Sequence, residues 1–343
     1  MGQQHRRQEQ PAKQTGPGLF DAKDEKLDQA PRDAVLEALE EQSFHTRQQM
    51  LERQQDKTSD FGGGMTRIDD FEQATRIEQI EPGHWRGTLR EDWGLWGPAG
   101  GHVTARALRA AGEATSQARP VSMTCHFVRV GAFEAVDIFV ETIKHGRRSE
   151  LIRVDLKQNE KLVFTAQVWT MPNEFPGIEH DVTQLSALPD PTTLPTWEDL
   201  FPNQPAFDFI SRVDQRPIKT MPKPGDPARD PALTGFYRFK ENPAATDLFV
   251  DAARPILLLD TFGWLAQYPA HPEDDPSPWI APNIDYYYRF FRPTSHADWL
   301  HMTVSADLAE GGLMGTNGAV HDSEGRLLIT GHSQLMCLRR PGA

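Results

Sequence analysis

Residues Asp92–Ala114 read DWGLWGPAGGHVTARALRAAGEA, and the organisation of the chain can be built outward from them. Two tryptophans and four glycines precede a run of Ala, Arg, Leu and Val. The Gly100–Gly101 pair sits where a helix is expected to begin. The apolar side of that helix is small, with Val103, Ala107, Leu108, Ala110 and Ala111. Small side chains let a curved sheet close on a helix, and glycines at a helix start leave its first N–H groups open to a ligand.

On either side the periodicity changes to two. Upstream, Thr75–Gln79 and His84–Leu89 read as short strands turning at Glu81-Pro82-Gly83. Downstream, VSMTCHFVRV (121–130) reads as a buried strand. Ala135–Ile143, Glu150–Lys157 and Leu162–Trp169 alternate apolar and polar residues, the last two around a turn at 158–161. One helix followed by long antiparallel strands is the pattern of a sheet wrapped round a helix.

This unit starts near residue 60. Residues 1–59 are polar and read as a disordered or helical arm, with a partial helical stripe over Ala34–Arg53. Residues 173–205 are rich in proline and acidic residues and read as a linker. Beyond it, Phe207–Arg216 and Leu233–Lys240 read as strands, and Ala245–Gln267 as a helix broken near Pro255.

The second half then repeats the first. IDYYYRFFRP (284–293) matches the strand at 122–130, with Phe290 on Phe127, an offset of 163. GRLLITGHSQL (325–335) matches EKLVFTAQVWT (160–170) with an offset of 165, placing Thr330 on Thr165. Two segments holding nearly one spacing indicate a duplicated module, 60–172 and 206–343.

Composition narrows the function classes. The 343 residues carry a net charge of −13, which argues against general nucleic-acid binding. No run reaches the roughly 20 apolar residues that span a bilayer, and MGQQHRRQEQ lacks the apolar core of a signal peptide. Cys125 and Cys337 are in no metal-ligand spacing. A cytoplasmic protein without disulfides, metal or other cofactor is expected.

A small-residue helix with antiparallel strands, present twice, fits an α+β tandem (double) hot-dog: two antiparallel sheets, each wrapped around a central helix. The sequence resembles the acyl-CoA thioesterase family of double hot-dog proteins. The resemblance rests on WGLWGPAGGHVTARALRAAG, VSMTCHFVRV and ETIKHGRRSELIRVDLKQNEKLVFTAQVW in the first half. In the second it rests on IDYYYRFFRP, DWL and VHDSEGRLLITGHSQLMCLRR. It implies an acyl-CoA substrate in lipid metabolism and a homodimer. It also implies a polar cluster in the second hot-dog. By position against Phe290-Phe291-Arg292-Pro293 and Leu338-Arg339, the family aspartate maps to Asp285 and the glutamine to Gln334. The family's hydroxyl residue falls on Asp307, a departure, with Ser305 and Thr303 close by.

The chemistry suits those residue types. A thioester carbonyl is already activated, so hydrolysis needs an oriented water, a base and donors for the oxyanion. Asp285 is a candidate base. Gln334 has donor and acceptor groups for the same water. Gly100, Gly101 and His102 offer backbone N–H groups at a helix start. Arg147 and Arg148 are candidates for the CoA phosphates. Each has a structural counterpart role: Asp285 as a strand cap, Gln334 as a solvated strand residue, His102 as a helix-start residue, the arginines as hairpin charges. No G-x-S-x-G elbow is present.

In the first half Ser122 stands in place of Asp285 and Trp169 in place of Gln334. The second-half helix entry, near Ile256–Gly263, carries Asp260 but no Gly-Gly. One active site per chain is therefore expected. Two alternatives are a non-catalytic acyl-CoA-binding scaffold and an acyl-thioester hydratase or dehydratase built on His102 and an acid from the other half.

Overall fold

The computed structural model describes residues 71–339, apart from 96, 186, 201–211, 220–221, 223–224, 241–246, 273–277 and 296. The expected arm and its helix at Ala34–Arg53 lie outside the described residues.

The first half runs β1 (Glu78–Glu81), β2 (His84–Thr88), α1 (Gly100–Ala114), β3 (Arg119–Phe127), β4 (Ala135–Lys144), β5 (Glu150–Gln158) and β6 (Lys161–Met171). The second runs β7 (Val213–Pro217), β8 (Ala232–Phe239), α2 (Leu248–Leu265), β9 (Trp279–Ile280), β10 (Asp285–Phe290), β11 (Leu300–Glu310), β12 (Leu313–His321), β13 (Leu327–Met336) and β14 (Leu338–Arg339). Short strands β9 and β14 pair only with each other.

The other 12 strands form one antiparallel sheet, ordered β1-β2-β4-β5-β6-β3-β10-β13-β12-β11-β8-β7. The order is a palindrome about β3–β10, where the halves join edge to edge. The two expected sheets are thus continuous, because pairing β3 with β10 satisfies two rows of backbone groups that would otherwise be exposed edges. The duplication holds at the level of register. Phe127 pairs with Phe164 and Cys125 with Ala166, while Phe290 pairs with Ile329 and Tyr288 with Gly331. These are the same pairs displaced by 163 and 165.

Strand alternation separates two faces. On β10, Tyr286, Tyr288 and Phe290 are buried toward the helices, while Tyr287 and Arg289 are exposed on the other face. The two-residue β5–β6 turn places Asn159 and Glu160 at positive φ, 48° and 62°, the backbone that such hairpins require.

Helix α1 packs against the strands of its own half and, along its glycine edge, against the other helix. A Cβ on Gly101 would stand 2.6 Å from Leu257 Cα, and one on Gly112 would stand 2.7 Å from Phe249 Cγ. The N-terminus of α1 therefore lies against the middle of α2, and its C-terminus against the start of α2. The helices run antiparallel at close range.

Helix α2 also departs from expectation by running unbroken through Pro255. Proline cannot donate to the Asp251 carbonyl. Thr294 compensates: its hydroxyl lies 3.2 Å from that carbonyl and 2.7 Å from Asp251 Oδ1, and its N–H donates to Oδ2 at 2.6 Å. Asp247 caps the helix start through Phe249 N–H at 2.8 Å, so the helix begins at Leu248 rather than near Ile256. The expected linker, where described, packs on the second half: Leu185 N–H donates to Gly325 O at 3.0 Å and Arg292 pairs with Asp181 at 2.9 Å.

Candidate functional site

Asp285 opens β10 and Gln334 lies beside it on β13. Between the bridge Asn283–Leu335 and the pair Tyr287–His332, the ladder is interrupted. There Gln334 N–H donates to Asp285 Oδ1 at 2.9 Å instead of to a carbonyl, while Ile284 N–H still reaches Gln334 O at 2.9 Å. The Asp285 carbonyl is met by the Ser333 hydroxyl at 2.7 Å. Both Asp285 and Gln334 are half-buried. Among the described residues, no hydrogen bond reaches Asp285 Oδ2 or the Gln334 amide, so an acceptor and a donor–acceptor pair stand side by side and open.

Behind them, on the helix side, lies a polar cluster that the sequence did not mark as a site. Helix α1 has Ala99 at its N-cap and no side-chain cap of its own. The cap comes from α2: Gly101 N–H donates to Asp260 Oδ2 at 2.7 Å. Asn283 Nδ2 donates to Asp260 Oδ1 at 2.8 Å. The Ser333 hydroxyl lies 2.8 Å from Asn283 Oδ1. A carboxylate at a helix N-terminus meets both the free N–H and the positive end of the helix dipole.

Asp260 is only 7% exposed. Burial lifts its carboxyl from 3.8 to about 6, against the pull of its two donors. Gly100 makes room for it, since a Cβ there would fall 2.5 Å from Asp260 Oδ1. The available signal was a lone acid within Ile256–Phe262, otherwise almost wholly apolar, because a buried carboxylate demands partners.

The remaining predicted residues lie elsewhere. His102 is fully buried, stacked on Trp93 at 5.1 Å, with Arg106 Nη1 3.1 Å from its Nδ1. Burial, then the Arg106 charge, holds it well below the usual imidazole range. Its backbone N–H donates to Ala99 O at 3.0 Å. With Gly101 N–H taken by Asp260, the N–H groups expected to face a ligand at Gly101 and His102 are both engaged within the fold.

Asp307 is exposed on β11 and accepts from Asn317 Nδ2 at 2.7 Å. Ser305 pairs with Asn317 across β11–β12. Two strands, β12 and β13, separate both from Asp285. Asn317 Oδ1 is met by His332 Nδ1 at 2.6 Å, which makes Nδ1 the protonated nitrogen. Arg147 and Arg148 are exposed in the β4–β5 hairpin, beyond the strand ends opposite to Asp285. Cys125 is buried, and burial followed by the Asp260 charge raises its thiol well above the usual value, leaving it inert as a nucleophile. No group of three or more His, Cys, Asp or Glu among the described residues could hold a metal. None of their helices is long and apolar enough to cross a membrane.

Residues 89–171 match the acyl-CoA thioesterase N-terminal domain and residues 184–337 the acyl-CoA thioesterase C-terminal domain, together well over half of the chain. The chain belongs to the acyl-CoA thioesterase family. Solved structures agree on the fold. The acyl-CoA thioesterase II TesB2 of Mycobacterium marinum is 20% identical, with a TM-score of 0.65, over 80% of this chain and 100% of that one. A hot-dog protein of unknown function from Alicyclobacillus acidocaldarius is 17% identical, with a TM-score of 0.67, over 79% and 98%. The TesB protein of Mycobacterium avium subspecies paratuberculosis is 19% identical, with a TM-score of 0.62, over 78% and 98%. The family thus has the double hot-dog fold expected from the repeat.

Proposed function

We propose that the protein hydrolyses an acyl-CoA by direct attack of water, with Asp285 as base and Gln334 as its partner. The observation that carries this reading is the open pair itself: Asp285 Oδ2 and the Gln334 amide, adjacent, half-buried and without hydrogen bonds among the described residues. Water held between Oδ2 and Gln334 Oε1 loses its proton to Asp285 as its oxygen bonds to the thioester carbonyl carbon. Gln334 Nε2–H donates to the oxygen on which charge develops. Collapse expels the CoA thiolate, which takes the proton back from Asp285, leaving the free acid.

This assignment uses neither Gly101 nor His102 as an oxyanion donor, since both N–H groups are engaged. A dehydratase reading loses its support for a similar reason, because His102 faces Trp93 and Arg106 rather than an acid.

The test is thiol release from short-, medium- and long-chain acyl-CoAs by the wild type and Asp285→Asn. Turnover by the wild type and a loss of about 10²–10⁴-fold in the variant, with unchanged thermal midpoint, are expected. Binding without turnover by the wild type would favour the scaffold reading instead.

A further inference from the structure

The proposed base and its partner flank two residues that share one chain of hydrogen bonds. Asn283 stands two residues before Asp285, and Ser333 immediately precedes Gln334. Asn283 is fixed through Nδ2 to Asp260 Oδ1 at 2.8 Å, and its Oδ1 faces the Ser333 hydroxyl at 2.8 Å. That hydroxyl is also 2.7 Å from the Asp285 carbonyl. The anchor, Asp260, is itself held by Gly101 N–H at 2.7 Å, on a helix whose backbone is in close contact with the other.

Resting on the reading that Asp285 and Gln334 act on the thioester, we infer that Asp260 is a positioning residue which, through Asn283 and Ser333, sets the separation of those two side chains. Asp260 is buried on the helix face of the sheet, whereas Asp285 and Gln334 are only half-buried. It therefore acts through the residues it holds. Because its partners come from α1 in one half and from the entry to β10 in the other, the site in the second half depends on the helix of the first.

Donor and acceptor logic supplies a sharp test. Asp260→Asn puts an NH₂ where two donors converge, unless the Asn283 amide rotates and turns its own NH₂ on Ser333. Asn283→Asp sets two carboxylates against each other. The double variant Asp260→Asn with Asn283→Asp satisfies every bond again, with the direction of the central one reversed. The new amide on α2 accepts from Gly101 N–H through its oxygen and donates through its NH₂. The new carboxylate before β10 accepts that NH₂ on one oxygen and the Ser333 hydroxyl on the other.

The full chain is assayed for kcat and KM with acyl-CoA, alongside amide hydrogen exchange over residues 283–286 and 333–335. Each single variant should lower kcat about 10–100-fold with KM changed less than about threefold, and raise exchange at Gln334. The double variant should recover kcat to within about fivefold and restore protection. Ser333→Ala, which leaves Asp260 untouched, should lower kcat about 3–10-fold.

A double variant no better than the poorer single one would overturn the inference, as would unchanged kcat in Ser333→Ala. The first result would place the chemistry on the Asp260 carboxylate itself. If the wild type releases no thiol from any acyl-CoA, the hydrolase reading falls, and exchange at Gln334 in the swapped pair still decides the positioning claim.

Discussion

The strand pairs β3–β6 and β10–β13 have one backbone register and two chemistries. Ser122 pairs with Trp169 in the first half, and the same offsets place Asp285 beside Gln334 in the second. Both pairs sit where the ladder is irregular, next to a register shift at Pro120–Ser122 in one case and at the interrupted bridge in the other. In the first half the position holds an exposed indole with Lys144 Nζ 5.2 Å from its ring. In the second it holds a carboxylate accepting a backbone N–H. Duplication therefore conserved what holds the sheet together and left each end free to acquire its own side chains, so backbone symmetry does not imply two sites.

Exchanging the two ends should produce the largest effect. Asp285→Ser with Gln334→Trp gives the second half the residues of the first, and thiol release should fall by about 10²–10⁴-fold. The reciprocal change, Ser122→Asp with Trp169→Gln, should add no measurable turnover to that background. Among the described residues the first half has no counterpart of the Asp260–Asn283 support, and the N-terminus of α2 is already capped by Asp247. Recovered turnover in the four-fold variant would show that the two ends are equivalent after all.

The two helices contrast as strongly. Gly101→Ala drives a Cβ to 2.6 Å from backbone Leu257 Cα, so the helices must separate. About 3 kcal/mol of destabilisation is expected, a fall of about 6–12 °C in thermal midpoint. Gly263→Ala on α2 meets the Tyr286 hydroxyl oxygen at 3.2 Å and Thr316 Oγ1 at 3.6 Å. There the gain in helix propensity, about 1 kcal/mol, should leave the midpoint nearly unchanged. Equal losses at both positions would mean that close helix packing is not what the α1 glycines provide.

Asp260 makes the junction pH-sensitive. Its carboxyl is raised to about 6 in the fold against 3.8 as the ordinary value. The folded state therefore holds this proton more tightly than the unfolded chain. The resulting stability is fully present below about pH 4 and is lost as pH rises through about 6. The loss should amount to roughly 2–3 kcal/mol and be missing in Asp260→Asn, as read from the difference in thermal midpoint between the two proteins from pH 4 to 7. A constant difference across that range would remove Asp260 as its source.

The fold was largely legible because strand alternation and small-residue helical spacing are local signals. The repeat at 163 and 165, read from two aligned segments, agrees with the equivalent pairings of Phe127 with Phe164 and Phe290 with Ile329. Pro255 misled, since the hydroxyl and N–H that compensate for it belong to Thr294, far along the chain in the loop after β10. The candidate site was less legible. Asp285 and Gln334 were singled out through the family resemblance, by position against Phe290–Pro293 and Leu338–Arg339. Asp260 was noticed only for the glycines missing around it, because its partners at Gly101 and Asn283 come from segments that sequence spacing does not bring together. Arg106 was hidden similarly: it lies within an alanine-rich helix, yet it is buried and donates to the carbonyls of Ala74 and Thr88.

The smallest expected effect concerns Asp307. Asp307 stands where the resemblance calls for a hydroxyl residue, and Asp307→Thr would restore one. The structure gives little reason for a large response. Asp307 is exposed, its carboxylate is turned to Asn317 at 2.7 Å, and β12 and β13 lie between it and Asp285. Losing that surface hydrogen bond should change stability by under about 0.5 kcal/mol, and kcat by no more than about twofold. Asn317 would then be free to turn its amide toward His332, so the imidazole resonances of His332 should shift while turnover holds. A rise in kcat of tenfold or more would instead mean that the third strand over reaches the thioester, and that Asp285 and Gln334 are not the whole of what the second half gained.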